Sequence, residues 1–389
     1  MALFVLPGCN TGDALLGTIE QVEAGAMDAE ELDAASEPGP DDAATFLDVI
    51  PVIEFNPSKP CGPSPLPACT YLSAESQWPL QLSASDLGDG IEFTALALQV
   101  GNVAVAARSA ADGPFVVTTI LNPPGGQPVW SRFEFSPKVL SRVIVDLVVG
   151  RDGDGHTTIT VLGCEGQTCG LHAATFDNVV EIGDGLLTEV QGSQLPADLE
   201  IRGLALRGGN GAPFQVCVYG DGLSCFGSGG WQQLQPSGQT GVIEQAHSFG
   251  QEKMIAACAD GKVRTLGGSD EEIISVVGEP HLISAHAAGS WAAGGLGGEV
   301  LTAIPVGDTR ACLFGTDPII GTGTNGTRVA YVSSVGRYLV GSVADGWCEG
   351  PAAPAAPIDV VSDECGISLN TLAMTQGQLW GRLDCAMGY

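Results

Sequence analysis

The sequence predicts an all-β fold built from a repeated unit of four short antiparallel strands. Of the 389 residues, 55 are glycine, and aromatic residues make up only 6%. This composition favours many tight turns over long helices. Hydrophobic residues make up 44% of the chain, so most of the chain is predicted to bury a core and fold. The third observation is that residues 243–278 read as four strands separated by turns.

The repeated unit is clearest in residues 243–278. Residues Ile243–Phe249 and 254–259 are predicted as two strands, the dipeptide Asp260-Gly261 as the next hairpin turn, and two further strands follow. An Asp-Gly dipeptide between two strands is a strong signal for a hairpin. Four short antiparallel strands within about 40 residues are typical of one blade of a β-propeller. We therefore expect a propeller.

The pattern recurs along the chain. First strands of the units are predicted to begin near Phe93, Val143, Arg202, Ile243, Leu282, Arg328 and Ile367. Too few residues follow Ile367 for four strands, so residues 49–55 and 71–83 are predicted to complete the last blade. We expect a ring of seven four-stranded blades over residues 49–389. Six blades, eight blades and a pair of β-sandwiches are the alternatives.

Residues 49–389 resemble the β-propeller superfamily. Within them, Val216-Cys217-Val218 followed by residues 222–227 is similar to the strand–turn–strand core of blades of the regulator-of-chromosome-condensation type. The repeated motifs of the WD, kelch and YWTD subfamilies do not occur. The resemblance therefore implies a fold but no subfamily, and it transfers no functional residues.

Twelve cysteines suggest an exported protein with disulfides. Three close pairs are candidates for short-loop disulfides: Cys61 with Cys69, Cys164 with Cys169, and Cys217 with Cys225. The last two pairs fall at the same predicted turn of consecutive units. Further pairings are expected from the topology alone: Cys348 with Cys365, and Cys385 with Cys61 or Cys69. Cys258 is predicted to keep its thiol.

The N-terminus has its own composition. Residues 1–58 contain no Lys or Arg. Leu6-Pro7-Gly8-Cys9 resembles the lipobox of a bacterial lipoprotein, although residues 1–9 would be a truncated or atypical signal. The resemblance implies acylation of Cys9 and a lipid-anchored protein of the bacterial cell envelope, on the outer membrane or cell surface. The alternative is an apolar tail with an incidental Cys. Residues 10–48 are predicted to be an acidic, disordered tether.

Charge limits the classes of partner. The formal net charge is -30, which argues against nucleic acid because no basic stripe can neutralise phosphates. We expect a monomeric module that binds a protein or a glycan and that contacts a membrane only through the lipid anchor. The alternative is a hydrolase or lyase of propeller fold that acts on glycans at the central funnel. No catalytic residues are predicted, and the sequence leaves open whether the protein is an enzyme.

A calcium site is the one predicted cofactor site. Asp152 and Asp154 lie in an Asp/Gly-rich loop, and closely spaced carboxylates can converge on one Ca²⁺ ion. The later ligands of an EF-hand loop are missing, because residues 157–159 continue as a strand. The alternative is an ordinary hairpin turn.

Overall fold

The computed structural model describes residues 53–383 with gaps. The gaps are 56–58, 70–77, 79, 100, 122–127, 152–153, 155, 167, 178–182, 196–199, 209–213, 228, 236–240, 250–252, 268–272, 277–279, 287–288, 305–307, 343–345 and 366–367. The predicted lipobox with Cys9, the predicted tether 10–48, Asp152 and Cys385 therefore lie outside the described residues. No helix among the described residues is long and apolar enough to cross a membrane.

Strands dominate the described part of the chain. In chain order the elements are β1 (Ile53–Phe55), β2 (Leu80–Ser83), α1 (Ala84–Leu87), β3 (Glu92–Gln99), β4 (Asn102–Ser109), β5 (Gly113–Ile120), β6 (Ser131–Ser136), β7 (Val143–Arg151), β8 (His156–Glu165), β9 (Thr168–Asp177), β10 (Gly185–Glu189), β11 (Ile201–Arg207), β12 (Gln215–Gly220), β13 (Leu223–Gly227), β14 (Gly230–Gln235), β15 (Ile243–Phe249), β16 (Lys253–Cys258), β17 (Lys262–Leu266), β18 (Ile273–Val276), β19 (Pro280–Ala285), β20 (Trp291–Gly295), β21 (Glu299–Ile304), β22 (Asp308–Leu313), β23 (Ile319–Thr324), β24 (Arg328–Ser333), β25 (Tyr338–Ser342), β26 (Gly346–Gly350), β27 (Asp359–Cys365), β28 (Ser368–Met374) and β29 (Gln378–Leu383).

From β3 onward, consecutive strands pair as antiparallel meanders. The first strand of each meander packs against the first strand of the next, and β27 packs against β3, so the arrangement closes into a ring. The strands β3, β7, β11, β15, β19, β23 and β27 line the central channel of this ring. The predicted all-β propeller is confirmed.

The predicted set of seven separate four-stranded blades is wrong. The described strands form six sheets: four have four strands, one has five and one has eight. The eight-stranded sheet arises because the outer strands β6 and β10 pair in parallel, from Phe133 opposite Gly185 to Ser136 opposite Thr188. Five sheets are therefore separate blades, and the sixth is of double width.

Two predicted strand positions also need correction. Arg328 begins β24, which is the second strand of its sheet, and Ile367 directly precedes β28, also a second strand. The true first strands are β23 and β27. The sequence of β23, Ile-Ile-Gly-Thr-Gly-Thr, resembles a turn. Its glycines are required by packing, because a Cβ on Gly321 would lie 2.4 Å from Val360 of β27.

The N-terminal described residues form a belt along the outer edges of four consecutive sheets. β1 pairs in parallel with β18, Pro60 bridges to Leu313 of β22, and Ala68 bridges to Glu349 of β26. β2 then pairs with β29 as the fourth strand of the last sheet. The prediction that an N-terminal strand completes the last sheet holds for β2 but is wrong for β1, which adds a fifth strand to another sheet.

Two disulfides fasten the belt to the ring. Cys61 is bonded to Cys312 and Cys69 to Cys348. The predicted pairings Cys61 with Cys69, Cys348 with Cys365, and Cys385 with Cys61 or Cys69 are therefore wrong. The belt places Cys61 and Cys69 beside the outer strands of two different sheets.

The other two disulfides staple hairpins. They are Cys164–Cys169 and Cys217–Cys225, and both join directly opposed residues of an antiparallel pair. Cys258 is buried and takes part in none of the four disulfides of the described residues.

The core lies between neighbouring meanders. Each cluster of buried apolar residues is shared by two consecutive units, as in the cluster of β4 and β5 with β28 and β29 and the cluster of β4 and β5 with β7 and β8. Small side chains predominate in the second strands. In β4, for example, residues 103–107 are fully buried. Crowding between two sheets explains this preference for Ala and Val.

Candidate functional site

The central channel is the first candidate site. Its cavity has a volume of about 440 Å³, which is within the size range of small-molecule pockets. Main-chain and apolar atoms of the first strands form much of the wall. Polar side chains project among them, including Asp146, Gln245, Asp359 and Asp363. These polar groups determine what the channel can do.

Three of these side chains connect adjacent first strands. Asp146 of β7 accepts a hydrogen bond from the Leu204 N–H of β11 at 2.7 Å. Asp359 of β27 accepts one from the Leu96 N–H of β3 at 3.0 Å. In the same way, Gln245 of β15 accepts a hydrogen bond from the β19 backbone at 2.6 Å. Each bond satisfies a main-chain donor at the channel wall, where strands of different sheets face each other.

Local backbone geometry places the side chains. The pairing of β7 with β8 shifts register between Ile144 and Asp146, and that of β15 with β16 shifts between Ile243 and Gln245. Such bulges re-aim the next side chain. Gly203 on β11 makes room for the first contact, because a Cβ there would lie 2.7 Å from an Asp146 carboxylate oxygen.

The channel perturbs the protonation of its carboxylates. Burial within the ring raises the pKa of Asp146 from 3.8 to about 7, against the opposing effect of hydrogen bonds from Leu204 and Leu147. Burial likewise raises the pKa of Asp359 to about 6. The Asp359 charge also disfavours ionisation of Asp146. Burial and these carboxylates together raise the pKa of the neighbouring Tyr219 well above 10.

The second candidate site is one end of the ring. We define the front face as the face at which the first strands begin and at which the second-to-third strand turns lie. It carries six of the eight exposed large hydrophobic residues of the described chain. They are Leu140, Val143, Val145, Leu296, Val335 and Ile358. Their exposed fractions run from 37% to 58%, so this face carries most of the large apolar side chains that the described residues expose to solvent.

Basic side chains accompany the apolar residues on the front face. Most are neutralised locally: Arg108 pairs with Glu92 at 2.9 Å, and Arg337 pairs with Glu349 at 2.9 Å. Arg142, which lies between Leu140 and Val143 in the chain, differs from Arg108 and Arg337 in its surroundings. Among the described residues it forms no ion pair, and its guanidinium stacks 4.9 Å from the Phe135 ring centroid.

The residues predicted as sites do not converge. Asp154 lies in a turn at the opposite end of β7 from the front face, and no group of three or more His, Cys, Asp or Glu side chains among the described residues could hold a metal ion. Calcium at Asp152 and Asp154 stays a prediction. Tryptophan rings can stack on sugars, but several of those described pack internally: Trp291 and Trp380 are buried, and Trp231 contacts Phe226.

Sequence reasoning missed the residues that matter most at both sites. Asp146 interrupts the apolar run 143–149, and an acidic residue inside an apolar run was the available signal. Asp359 gives a weaker signal, because it follows the Pro/Ala-rich run 351–357. Nothing in the sequence distinguishes Arg142, since its lack of an acidic neighbour is a property of the folded arrangement.

Comparisons with known proteins agree with the fold. No family model and no curated protein sequence matches the chain. Solved structures do match. A structure of YCF48 bound to D1 peptide superposes with a TM-score of 0.54 and 13% identity, over 83% of this chain and 99% of that chain. The WD40 β-propeller domain of Doa1 gives 0.53 and 11%, over 78% and 96%.

Raptor from Chaetomium thermophilum gives a TM-score of 0.52 and 13% identity, over 75% of this chain and 28% of that chain. At these identities the likeness shows the fold alone. The chain is therefore similar to solved β-propellers, including one determined with a bound peptide.

Proposed function

We propose that this protein is a non-catalytic binding module that holds an extended segment of a partner protein on its front face. The observation that carries the proposal is the concentration of exposed apolar side chains on that face, with basic groups among them. Large apolar side chains that are exposed on one face of a protein are candidates for an interaction site. The structural likeness to YCF48, determined with a bound peptide, supports a peptide as the ligand class.

A selection from a random peptide library on the full chain tests this proposal. Binding of the selected peptides is then measured for the wild type, Leu140→Asp and Leu186→Asp. Leu140 and Leu186 are matched, since they are 58% and 57% exposed, but Leu186 lies on the outer strand β10. We expect Leu140→Asp to weaken binding about tenfold or more and Leu186→Asp to leave it unchanged. Equal binding by both variants would refute the assignment to the front face.

We also propose that the eight-stranded sheet counts as two blades, which gives a seven-repeat ring. In support, β3 and β7 each begin a four-stranded meander, and both line the channel.

A lipid anchor at Cys9 and a location on the bacterial cell envelope remain proposals that rest on the sequence resemblance. The test is detergent phase partitioning of the full chain made in a bacterial host that acylates lipoproteins. The wild type is expected in the detergent phase and Cys9→Ser in the aqueous phase. If both partition alike, the anchor is refuted.

A second candidate function is hydrolysis or elimination of a glycan in the channel. Asp146 and Asp359 favour it, because a carboxyl group with a pKa near neutrality can act as a general acid. Against it, both carboxylates already accept main-chain hydrogen bonds from the next strand. Turnover of any glycan that is lost in Asp146→Asn would place the enzyme ahead of the binding module.

A further inference from the structure

A second cavity lies on the front face beside the exposed apolar residues. It has a volume of about 450 Å³ and is lined by the segment before β7, the β8–β9 hairpin and the end of β10. Its charged and polar lining consists of Arg142, Glu165, Thr168, His172, Glu189 and Gln194. The Cys164–Cys169 disulfide closes the hairpin beside it and restricts the conformations of this wall.

Arg142 is the unusual member of the lining. Its Nη1 atom is shielded from solvent, and no group of the described chain accepts a hydrogen bond from it. A guanidinium that is partly removed from water without an acceptor is costly. Arg108 and Arg337 on the same face are each satisfied by a carboxylate. Among the described residues Arg142 therefore has an Nη1 group that is open to an acceptor supplied by a ligand.

His172 forms the inner wall of the same cavity. Its side chain is 5% exposed, its Nδ1 lies 3.3 Å from the Gly170 carbonyl oxygen, and its ring packs edge-on against Phe135. Burial and, to a smaller extent, the Arg142 charge lower the pKa of His172, whereas the charge of Glu189 raises it. The imidazole and Arg142 are therefore close enough to respond to the same ligand.

The acidic groups of the lining lie on the outside. Glu165 and Glu189 are exposed, whereas Arg142 is half-buried and His172 is buried. The cavity thus presents a cation inside and carboxylates at its rim. A ligand that complements it carries a carboxylate pointing inward and a basic group at the rim. A peptide with adjacent acidic and basic side chains has this chemistry.

We propose that this cavity is the specificity pocket of the front face, and that it binds a carboxylate side chain of the partner peptide on Arg142 while a neighbouring basic side chain meets Glu165 and Glu189. The inference rests on the proposed peptide-binding function and deepens it. Exposed apolar residues at Leu140 and Val143, on either side of Arg142, would contact the flanking side chains.

The probe is the peptide acetyl-Leu-Glu-Lys-Leu-amide, titrated into the full chain up to millimolar concentration. The readouts are the NMR signals of the Arg142 guanidinium and the His172 ring. The matched probe has Gln in place of Glu. We expect the first peptide to shift both signals saturably and to raise the pKa of His172, since a bound carboxylate favours the imidazolium. The Gln peptide should bind about tenfold more weakly or worse.

Two variants test the role of Arg142. Arg142→Gln should abolish the response of His172, whereas Arg151→Gln, at the far end of β7 from Arg142, should preserve it. Arg142→Lys keeps the charge without the planar fork and should bind with intermediate strength. The Arg142→Lys variant therefore still tests the role of Arg142 if the Arg142→Gln variant fails to fold.

Equal responses to the Glu and Gln peptides, an unchanged response in Arg142→Gln, or no saturable shift at all would each refute the pocket. None of these results decides the wider proposal. That proposal is tested separately by the response of library-selected peptides to Leu140→Asp.

Discussion

The carboxylate of Asp146 should make the stability of the ring depend on pH, and Asp146→Asn should remove that contribution. In the folded protein the pKa of Asp146 is about 7, against 3.8 for the unconstrained side chain. The folded state therefore holds a proton that the unfolded state has already released. Stability must fall as the pH rises through this interval, because the group is forced to ionise in the folded ring.

The size of the effect follows from the interval. At about pH 5 the folded state carries close to one extra proton, and this excess falls to about one half at about pH 7. Each pH unit crossed with one full extra proton is worth about 1.4 kcal/mol. Asp146 alone therefore lowers the free energy of unfolding by about 2.7 kcal/mol between about pH 5 and about pH 8. This value is an upper bound, because part of the carboxylate faces the water of the channel.

Asparagine is neutral at every pH, but it cannot replace both carboxylate oxygens. One accepts from Leu147 and the other from Leu204, so the amide nitrogen must face one of these N–H groups. We expect Asp146→Asn to be less stable than the wild type at about pH 5, by about 1–3 kcal/mol. At about pH 8 the two proteins should be nearly equal, since the wild type has then lost its advantage.

Urea unfolding at the two pH values measures the difference directly. The matched control is Asp184→Asn, because Asp184 also accepts a main-chain hydrogen bond, from Arg132 at 2.8 Å, but is exposed. Comparing variants at each pH cancels the histidines and the surface charge. An Asp146→Asn protein that is destabilised by the same amount at both pH values would refute the reasoning.

Three further predictions concern how the ring is held together. Gly220→Ala should cost about 3 kcal/mol, because its Cβ would overlap the Glu200 carbonyl oxygen; Gly229→Ala, where the space is open, is the control in urea unfolding. Replacing Cys61 and Cys312 by Ser should lower the thermal midpoint more than replacing Cys164 and Cys169. The sequence separations are 251 and 5 residues, for which the loop-entropy model gives a stabilisation of about 5 and about 2 kcal/mol. Equal losses in the two variants would contradict this prediction. Gln245→Ala should cost about 1–3 kcal/mol by leaving the Ile283 N–H without its 2.6 Å partner, and a loss within error of zero in the same assay would show that water replaces the side chain.

Local sequence signals predicted the repeated unit well and its connections poorly. The Asp260-Gly261 turn was recognised from its dipeptide, and the structure shows the physical reason. Gly261 adopts a φ of 78°, which glycine alone adopts readily. The pairing of β6 with β10 and the path of the belt could not be predicted in this way. Both depend on contacts between outer edges that are far apart in sequence, and a strand that adds to an edge needs no distinctive residues beyond β propensity.

The disulfides illustrate the same limit. Cys217 and Cys225 could be matched because hairpin symmetry about Asp221 brings opposed residues together. Cys61 and Cys312 are brought together only by the belt. Asp146 and Arg142 lie within three residues of Val143, which was recognised as the start of a strand. Their roles were not recognised, because these depend on which groups the fold brings next to them.

The belt also bears on how a partner can dock. Edge strands with unpaired main-chain groups are common sites for adding a peptide strand. In this ring β6 and β10 cover each other, β1 covers β18, and the belt bridges to β22 and β26. Among the described residues β1, β2 and β14 remain as outer strands with no further strand paired to them. The outer edges of β6, β10 and β18 are therefore paired and those of β22 and β26 are bridged, whereas the front face keeps its apolar residues exposed. A partner that used β14 would be insensitive to Leu140→Asp, so the same variant separates docking on the front face from docking on the rim.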